Sequence, residues 1–224
     1  ELMKKILKYF KKYIKLILRI NGWKLTKLYK NRTYTHEKPS IELIKQIQRC
    51  NGIIHVGAHR ATEAAVYDWF QKKIIWIEAN PLIFHNLIDN IYLFHNQVAY
   101  NYLFHNTDDE EINFYISNND SASSSVFKFG KESFNDDLKT INTLKLCTKK
   151  FDTFVTEKKI DIEQYNFWII DAQGAELLIM NGAKESLKKC KSIYIEVSTK
   201  DYYADGARYN DLKIYLALFN FFPF

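Results

Sequence analysis

The chain has 224 residues, enough for one domain with a short appendage and too few for two fused enzymes. At 47% hydrophobic, 16% aromatic and 26% charged residues it can bury a large core, and seven Gly and three Pro exclude collagen-like and low-complexity architectures. The net charge of +6 averages two unlike parts: residues 1 to 32 carry eleven Lys or Arg against Glu1 alone, a net of +10, which leaves 21 basic and 25 acidic residues and a net of −4 for the rest.

Residues 2 to 20 read as an amphipathic helix. Lys4, Lys8, Lys11, Lys12 and Lys15 share an arc of roughly 120°, and Leu2, Ile6, Phe10, Ile14 and Ile17 fill the opposite side. Such a helix suits peripheral contact with an anionic membrane or docking on a partner, whereas a nucleic-acid arm needs the lysines but not the apolar stripe. Lysines interrupt it too often for a signal peptide or a membrane span. Cys50, Cys147 and Cys190 form neither a zinc knuckle nor a disulfide framework, which predicts a reducing, cytoplasmic location, with membrane association through residues 2–20 left open. A second helix is predicted over Ser40 to Arg49. Residues 1–50 are therefore read as an N-terminal helical extension ahead of a body over 51–224.

From Gly52 onward short apolar runs alternate with amphipathic stretches. Strands are predicted at 53–56, 73–78, 97–104, 166–171 and 192–197, with helices at 61–70, 81–92, 174–188 and 208–218. This alternation predicts an α/β fold, a parallel sheet with helices on both faces. Residues 105 to 150 break the rhythm. They hold a strand-like piece at 111–117, a serine cluster and a further strand near 144–151, and read as an insertion over the sheet's edge or mouth. The triplet FHN recurs at 84–86, 94–96 and 104–106, but the copies fall in a helix, a loop and a strand end and cannot form a metal-binding array.

In an open parallel sheet, ligands bind at the carboxyl ends of the strands, where the strand order reverses. There the first strand feeds HVGAHRATE (55–63), a glycine turn leading to a helix N-terminus. The second ends in Glu78, at a spacing suited to accepting hydrogen bonds from both hydroxyls of a ribose. The fourth ends in Asp171 and the fifth in Glu196. The turn lacks the second and third glycines of a dinucleotide fingerprint, so a pyrophosphate would meet Cβ atoms. A nucleoside without phosphates suits it better, and S-adenosylmethionine is the common one.

The segments IIHVGAHRATEAAVYDWF, IWIEANPLIFHNL, ISNNDSASSSVF, FDTFV, IIDAQGAELLIMNGAKESL and IYIEVS, in this order over roughly residues 51 to 200, resemble the FkbM-type methyltransferases. DAQGAELLIMNGA and NNDSASSS are the specific parts. The resemblance implies a class I, Rossmann-like, S-adenosylmethionine-dependent O-methyltransferase acting on a hydroxyl of a sugar, a glycan or a small natural product. By the same resemblance the cofactor set is His55, Gly57, Ala58, His59 and Glu63, with His55 to His59 around the methionine part. Glu78, Ala79 and Asn80 follow from the second strand, Glu78 at the ribose, and Asp171 and Gln173 stand at the methyl-transfer centre. Two departures stand out: His55 and Ala61 replace an acid and a further glycine. The chain also ends at FNFFPF, where the fold would add two strands, so either the sequence is truncated or that sheet edge is incomplete.

A sugar hydroxyl needs a base to become a good nucleophile. Asp171 is the first choice and His59 the second. Ser123, Ser124, Ser125 and Glu196 are the candidate acceptor ligands, and DYYADGARYN (201–210) a candidate acceptor-facing loop or lid. Asp171, Glu176 and Glu196 could instead hold a divalent metal, but the helix that starts at Gly174 carries Glu176 away, and the reading favours no metal. The alternative function is a non-catalytic Rossmann-like module that grips nucleic acid or a partner through its basic helix. The acidic rim disfavours a polyanion.

Overall fold

The computed structural model describes residues 40–132 and 137–223, so the basic helix expected over 2–20 lies outside the described residues. Five parallel strands form the main sheet: β1 (Gly52–Val56), β2 (Lys73–Ile77), β3 (Gln97–Tyr100), β7 (Phe167–Ile170) and β8 (Ser192–Ile195), in the order β3-β2-β1-β7-β8. The order reverses between β1 and β7, where Val56 lies beside Ile170. Three further strands, β4 (Leu103–Phe104), β5 (Glu111–Ser117) and β6 (Thr140–Lys149), form a second sheet in the order β4-β6-β5.

Alternation along β1 sends Ile53 and His55 to one face and Ile54 and Val56 to the other, so both faces are buried. The first face packs against α1 (Ile41–Arg49), α2 (Ala64–Trp69) and α3 (Pro81–Ile91) through Ile47, Ala64, Tyr67, Leu87 and Ile91. The second packs against α4 (Phe151–Glu157), α5 (Glu176–Asn181), α6 (Lys184–Leu187) and α7 (Tyr209–Ala217) through Phe151, Phe154, Ile179, Met180, Leu187 and Leu212. Each fully buried side chain of this size contributes about 1.5–3 kcal/mol. Ile47 and Cys50 belong to the first of these cores, so α1 is packed into the sheet's body, although the sequence reading grouped it with the extension over 1–50.

Four boundaries differ from the sequence reading. The predicted strand 97–104 is two strands in two sheets, because Asn101 interrupts the apolar run. Its side-chain amide donates to the carbonyls of Glu78 (2.7 Å) and Ala79 (3.0 Å), which ties the corner to the end of β2. The predicted helix 174–188 breaks after Asn181, where a Cβ on Gly182 would lie 2.1 Å from the His105 carbonyl oxygen. The first predicted helix starts at Ala64 and not at 61, because His59 (φ 46°) and Ala61 (φ 51°) hold the chain in left-handed turns. Lys150 onward, read as the end of a strand, opens α4. Asp108 accepts the Lys150 N–H (2.7 Å) and the Thr153 hydroxyl (2.8 Å) and holds its start. Among the described residues no helix is long and apolar enough to cross a membrane.

At the point where the strand order reverses, Gly57 has φ +77°, and a Cβ there would sit 1.6 Å from the Asp171 carbonyl oxygen. Gly57→Ala should therefore destabilise the protein by about 2–5 kcal/mol, combining a left-handed alanine with a backbone collision. Urea unfolding would check this, and a loss below about 1 kcal/mol would show that the two strand ends can separate at little cost.

Candidate active site

The turn after β1 is built from its own backbone. Gly57 and Ala58 donate their N–H groups to the Ile77 carbonyl at the end of β2, both at 3.0 Å. His59 N–H then donates to one carboxylate oxygen of Glu78 (2.8 Å), and Asn80 N–H donates to the other (2.8 Å). Glu78 thus locks the ends of β1 and β2 together, and each of its oxygens keeps a further lone pair. Burial pushes its pKa up to about 7, against the opposing pull of the two backbone N–H groups and with a further push from the charge on Asp171. Asn80 caps α3, its side chain accepting from Leu82 N–H at 3.1 Å, and Ala79 packs beside Leu103, Phe114 and Ile116.

The second half of the rim comes from the ends of β7 and β8. Gln173, at φ 54°, donates its side-chain amide to Asp171 Oδ1 and Glu196 Oε2, both at 2.6 Å. Glu196 also lies within hydrogen-bond reach of Asp171, and its pKa rises well above the usual carboxylate range through burial, the charge of Asp171 and the hydrogen bond to it. Tyr203 donates its hydroxyl to Gln173 Oε1 and to the Ser123 carbonyl (3.3 Å). Because Gln173 Oε1 accepts the phenol's hydrogen, the glutamine amide is held with its NH₂ toward the two acids. Burial holds the Tyr203 phenol in its protonated form.

The insertion covers the mouth. From the loop between β5 and β6, Asp120 pairs with Arg60 of the first turn, and its carbonyl meets His59 Nε2 at 2.9 Å. A carbonyl can only accept, so Nε2 carries the hydrogen and His59 fastens the loop to the turn. Ser125 donates to the Gln173 carbonyl (2.7 Å) and accepts from Phe127 N–H (3.1 Å), and Ser124 accepts from Ser117 N–H (3.1 Å). A cavity of about 420 Å³ opens between this loop and the rim, lined by Asn118, Asn119, Ala122, Ser123, Asp137, Leu138, Gln173 and Glu196.

The candidate residues from the sequence therefore separate. Gly57, Ala58, His59, Glu78, Asp171, Gln173, Glu196 and Ser123 meet at this rim. His55 does not reach it in the same way: it is buried in β1, its ring stacked on Trp76 (centroids 5.0 Å apart) with Nδ1 3.4 Å from the Tyr67 hydroxyl. Burial lowers its pKa and keeps the ring neutral, as in a core histidine. Glu63 precedes α2 and takes the Thr62 hydroxyl (2.8 Å), while Ser124 spends its hydroxyl on the loop's own fold and Ser125 ties the loop to the Gln173 carbonyl. Glu176 is 2% exposed and accepts the N–H groups of Ala172 (2.9 Å) and Gly174 (3.1 Å), which fixes the turn after β7. Its carboxyl faces that backbone, so it does not join Asp171 and Glu196 as a third metal ligand. Among the described residues no group of three or more His, Cys, Asp or Glu is arranged to hold a metal ion.

Sequence reading missed the roles of Tyr203, Asn101 and the Arg60–Asp120 pair. Tyr203 lies within the polar, aromatic stretch singled out as an acceptor-facing loop, but nothing in its spacing told it apart from Tyr202.

The family model described as Methyltransferase FkbM domain matches residues 55–222, three quarters of the chain. The chain belongs to the FkbM methyltransferase family. No curated protein and no solved structure matches it. The matched span starts at His55, ahead of the glycine turn, and runs through α7, so it includes both halves of the rim and the insertion between them. In this methyltransferase Tyr203→Phe should cost about 1–3 kcal/mol, since it strips the donor from a half-buried glutamine oxygen. Thermal or urea unfolding would check this, together with faster amide exchange at residues 173–175. Unchanged stability and exchange would mean the phenol does not anchor Gln173.

Proposed function

We propose that this methyltransferase uses S-adenosylmethionine to methylate a hydroxyl group of a sugar or glycan. The observation that carries this reading is the juxtaposition at one rim of a buried carboxylate with spare acceptor capacity, Glu78, and two acids bridged by one amide, Asp171 and Glu196, beside a cavity of about 420 Å³. A buried acid whose pKa has risen to about 7 gains most from a ligand that offers it two hydroxyl donors, and a ribose does so. No cation of the turn stands ready for a phosphate: Arg60 is paired with Asp120. Ala58 and Ala61 are buried in the turn, so their Cβ atoms occupy the space a pyrophosphate would need.

When bound, S-adenosylmethionine supplies an electrophilic methyl group on a sulfonium. The protein's share is positioning and proton transfer. Gly57, Ala58 and His59 define the floor for the methionine part, and Glu78 holds the ribose. Tyr203 orients Gln173, and Gln173 fixes Asp171. Asp171 takes the proton of the acceptor hydroxyl, a contribution of about 10² to 10⁴-fold. Ser123 and Glu196 line the acceptor's side. His59, engaged through Nε2, serves the turn and the loop better than it serves as a base.

Paired substitutions test the assignment. Asp171→Asn should lower turnover by at least about 100-fold and leave S-adenosylhomocysteine affinity within about three-fold, whereas Glu78→Ala should weaken that affinity by about 10–100-fold, both by calorimetry and methyl-transfer assay. Unchanged affinity in Glu78→Ala would remove the ribose role, and an active Asp171→Asn would remove the base. For wild type, affinity should rise roughly ten-fold between pH 6 and pH 8, because the ionised form of Glu78, dominant only above about pH 7, is the better acceptor.

We also propose that residues 2–20 attach the enzyme to an anionic membrane surface, each Lys or Arg there being worth about 1 kcal/mol. Removing them should abolish co-sedimentation with phosphatidylserine vesicles in low salt and leave S-adenosylhomocysteine affinity intact. A full chain that ignores such vesicles would point to a protein partner for this segment.

A further inference from the structure

The cavity beyond Gln173 is unusual in what lines it. Asp137 and Glu196 supply carboxyls, Asn118, Asn119 and Gln173 supply amides, and Ser123 supplies a hydroxyl. Ala122 and Leu138 complete the lining, and no Lys, Arg or His is among these residues. Asp171 stands directly behind, hydrogen-bonded to both Gln173 and Glu196.

Four described cations of the neighbouring segments have partners of their own. Arg60 is paired with Asp120 across the turn, and Lys128 stands 5.9 Å from the centroid of the Tyr115 ring. Lys200 pairs with Glu132 and Arg208 with Asp201. Lys139, next to Leu138 in the chain, meets Asn118 through its backbone, and its side chain does not line the cavity. A group entering here meets hydrogen-bond acceptors, amides and negative charge.

We infer that this cavity selects its acceptor by charge, admitting sugars that are uncharged or carry an ammonium group and rejecting those that carry a carboxylate, sulfate or phosphate. The inference rests on the sugar reading above and narrows it. Hydroxyls of a neutral ring find partners in the second hydrogens of the Asn118 and Asn119 amides, in the Ser123 hydroxyl hydrogen and in the lone pairs of the carboxyls. An ammonium group adds three donors and a favourable charge. An anion finds no counter-charge among the lining residues and must give up its hydration beside two carboxyls.

The test uses the full chain saturated with S-adenosylhomocysteine and three methyl glycosides that share one ring: glucoside, glucosaminide and glucuronide. Saturation-transfer NMR titrations should give a dissociation constant for the glucuronide at least about ten-fold weaker than for the other two, with the glucosaminide equal to or tighter than the glucoside. Ala122→Lys, at an exposed lining position with no side-chain bond to lose, should bring the glucuronide to within about three-fold of the glucoside. Wild-type protein that binds the glucuronide as well as the glucoside overturns the charge selection and leaves the sugar reading standing. Protein that binds S-adenosylhomocysteine but none of the three glycosides overturns the sugar reading, and the charge selection falls with it.

Discussion

The close approach of two strand ends governs this molecule. Where the strand order reverses, the turn after β1 and the turn after β7 come so near that the missing side chain of Gly57 is what lets the Asp171 carbonyl lie where it does. Asp171 N–H donates to the Val56 carbonyl at 3.0 Å, so the contact is bonded as well as tight. Everything chemical in the protein is arranged around this point, because it is here that a parallel sheet leaves a crevice between diverging helices.

Such a crevice must gather polar groups without unfolding the ends of the strands, and the solution is the same three times. Glu78 binds the N–H groups of His59 and Asn80, Glu176 those of Ala172 and Gly174, and the Gln173 amide joins Asp171 to Glu196. Every buried side-chain nitrogen or oxygen among the described residues has a hydrogen-bond partner. Burial nonetheless raises the pKa of both Glu78 and Glu176 to about 7. Held this way, each acid gives stability that is complete below the unfolded carboxylate range and is lost as pH rises toward 7, since the unfolded chain releases its proton first. The rim is thus least comfortable where its carboxylates are ionised, which is the state that binds hydroxyls best.

The insertion adds a second wall to the end of the sheet. The β5–β6 hairpin carries a loop whose serines and asparagines bond chiefly to each other, and it is fastened at three places, by Asp120 to Arg60 and His59, by Ser125 to Gln173, and by Ser123 to Tyr203. Tyr203 joins this loop to the stretch before α7. Its ring packs on Gly174, where a Cβ would lie about 3 Å from it, so the glycine after Gln173 makes room for the residue that orients Gln173. The cavity is therefore shaped by segments from three distant parts of the chain.

The sequence by itself determined the α/β class, the strand alternation, the family, and the acids that end β2, β7 and β8. These follow from local rules: apolar runs of strand length, helical periodicity, and the tendency of such sheets to bind ligands at carboxyl ends. It also marked Gly57 and the serine loop. Tertiary structure decided which acids face the site and which serve the backbone. Glu176 and Asp171 are five residues apart and chemically alike, yet one turns inward to hold a turn and the other joins Glu196. His55 looked like a rim residue from its place before the glycine, but pairing of β1 between β2 and β7 set its ring against Trp76. Tyr203 became important through a contact thirty residues from Gln173 and eighty from Ser123. Sequence spacing carries no information about such contacts, because they are fixed by how the insertion and the β8–α7 segment fold back over the rim.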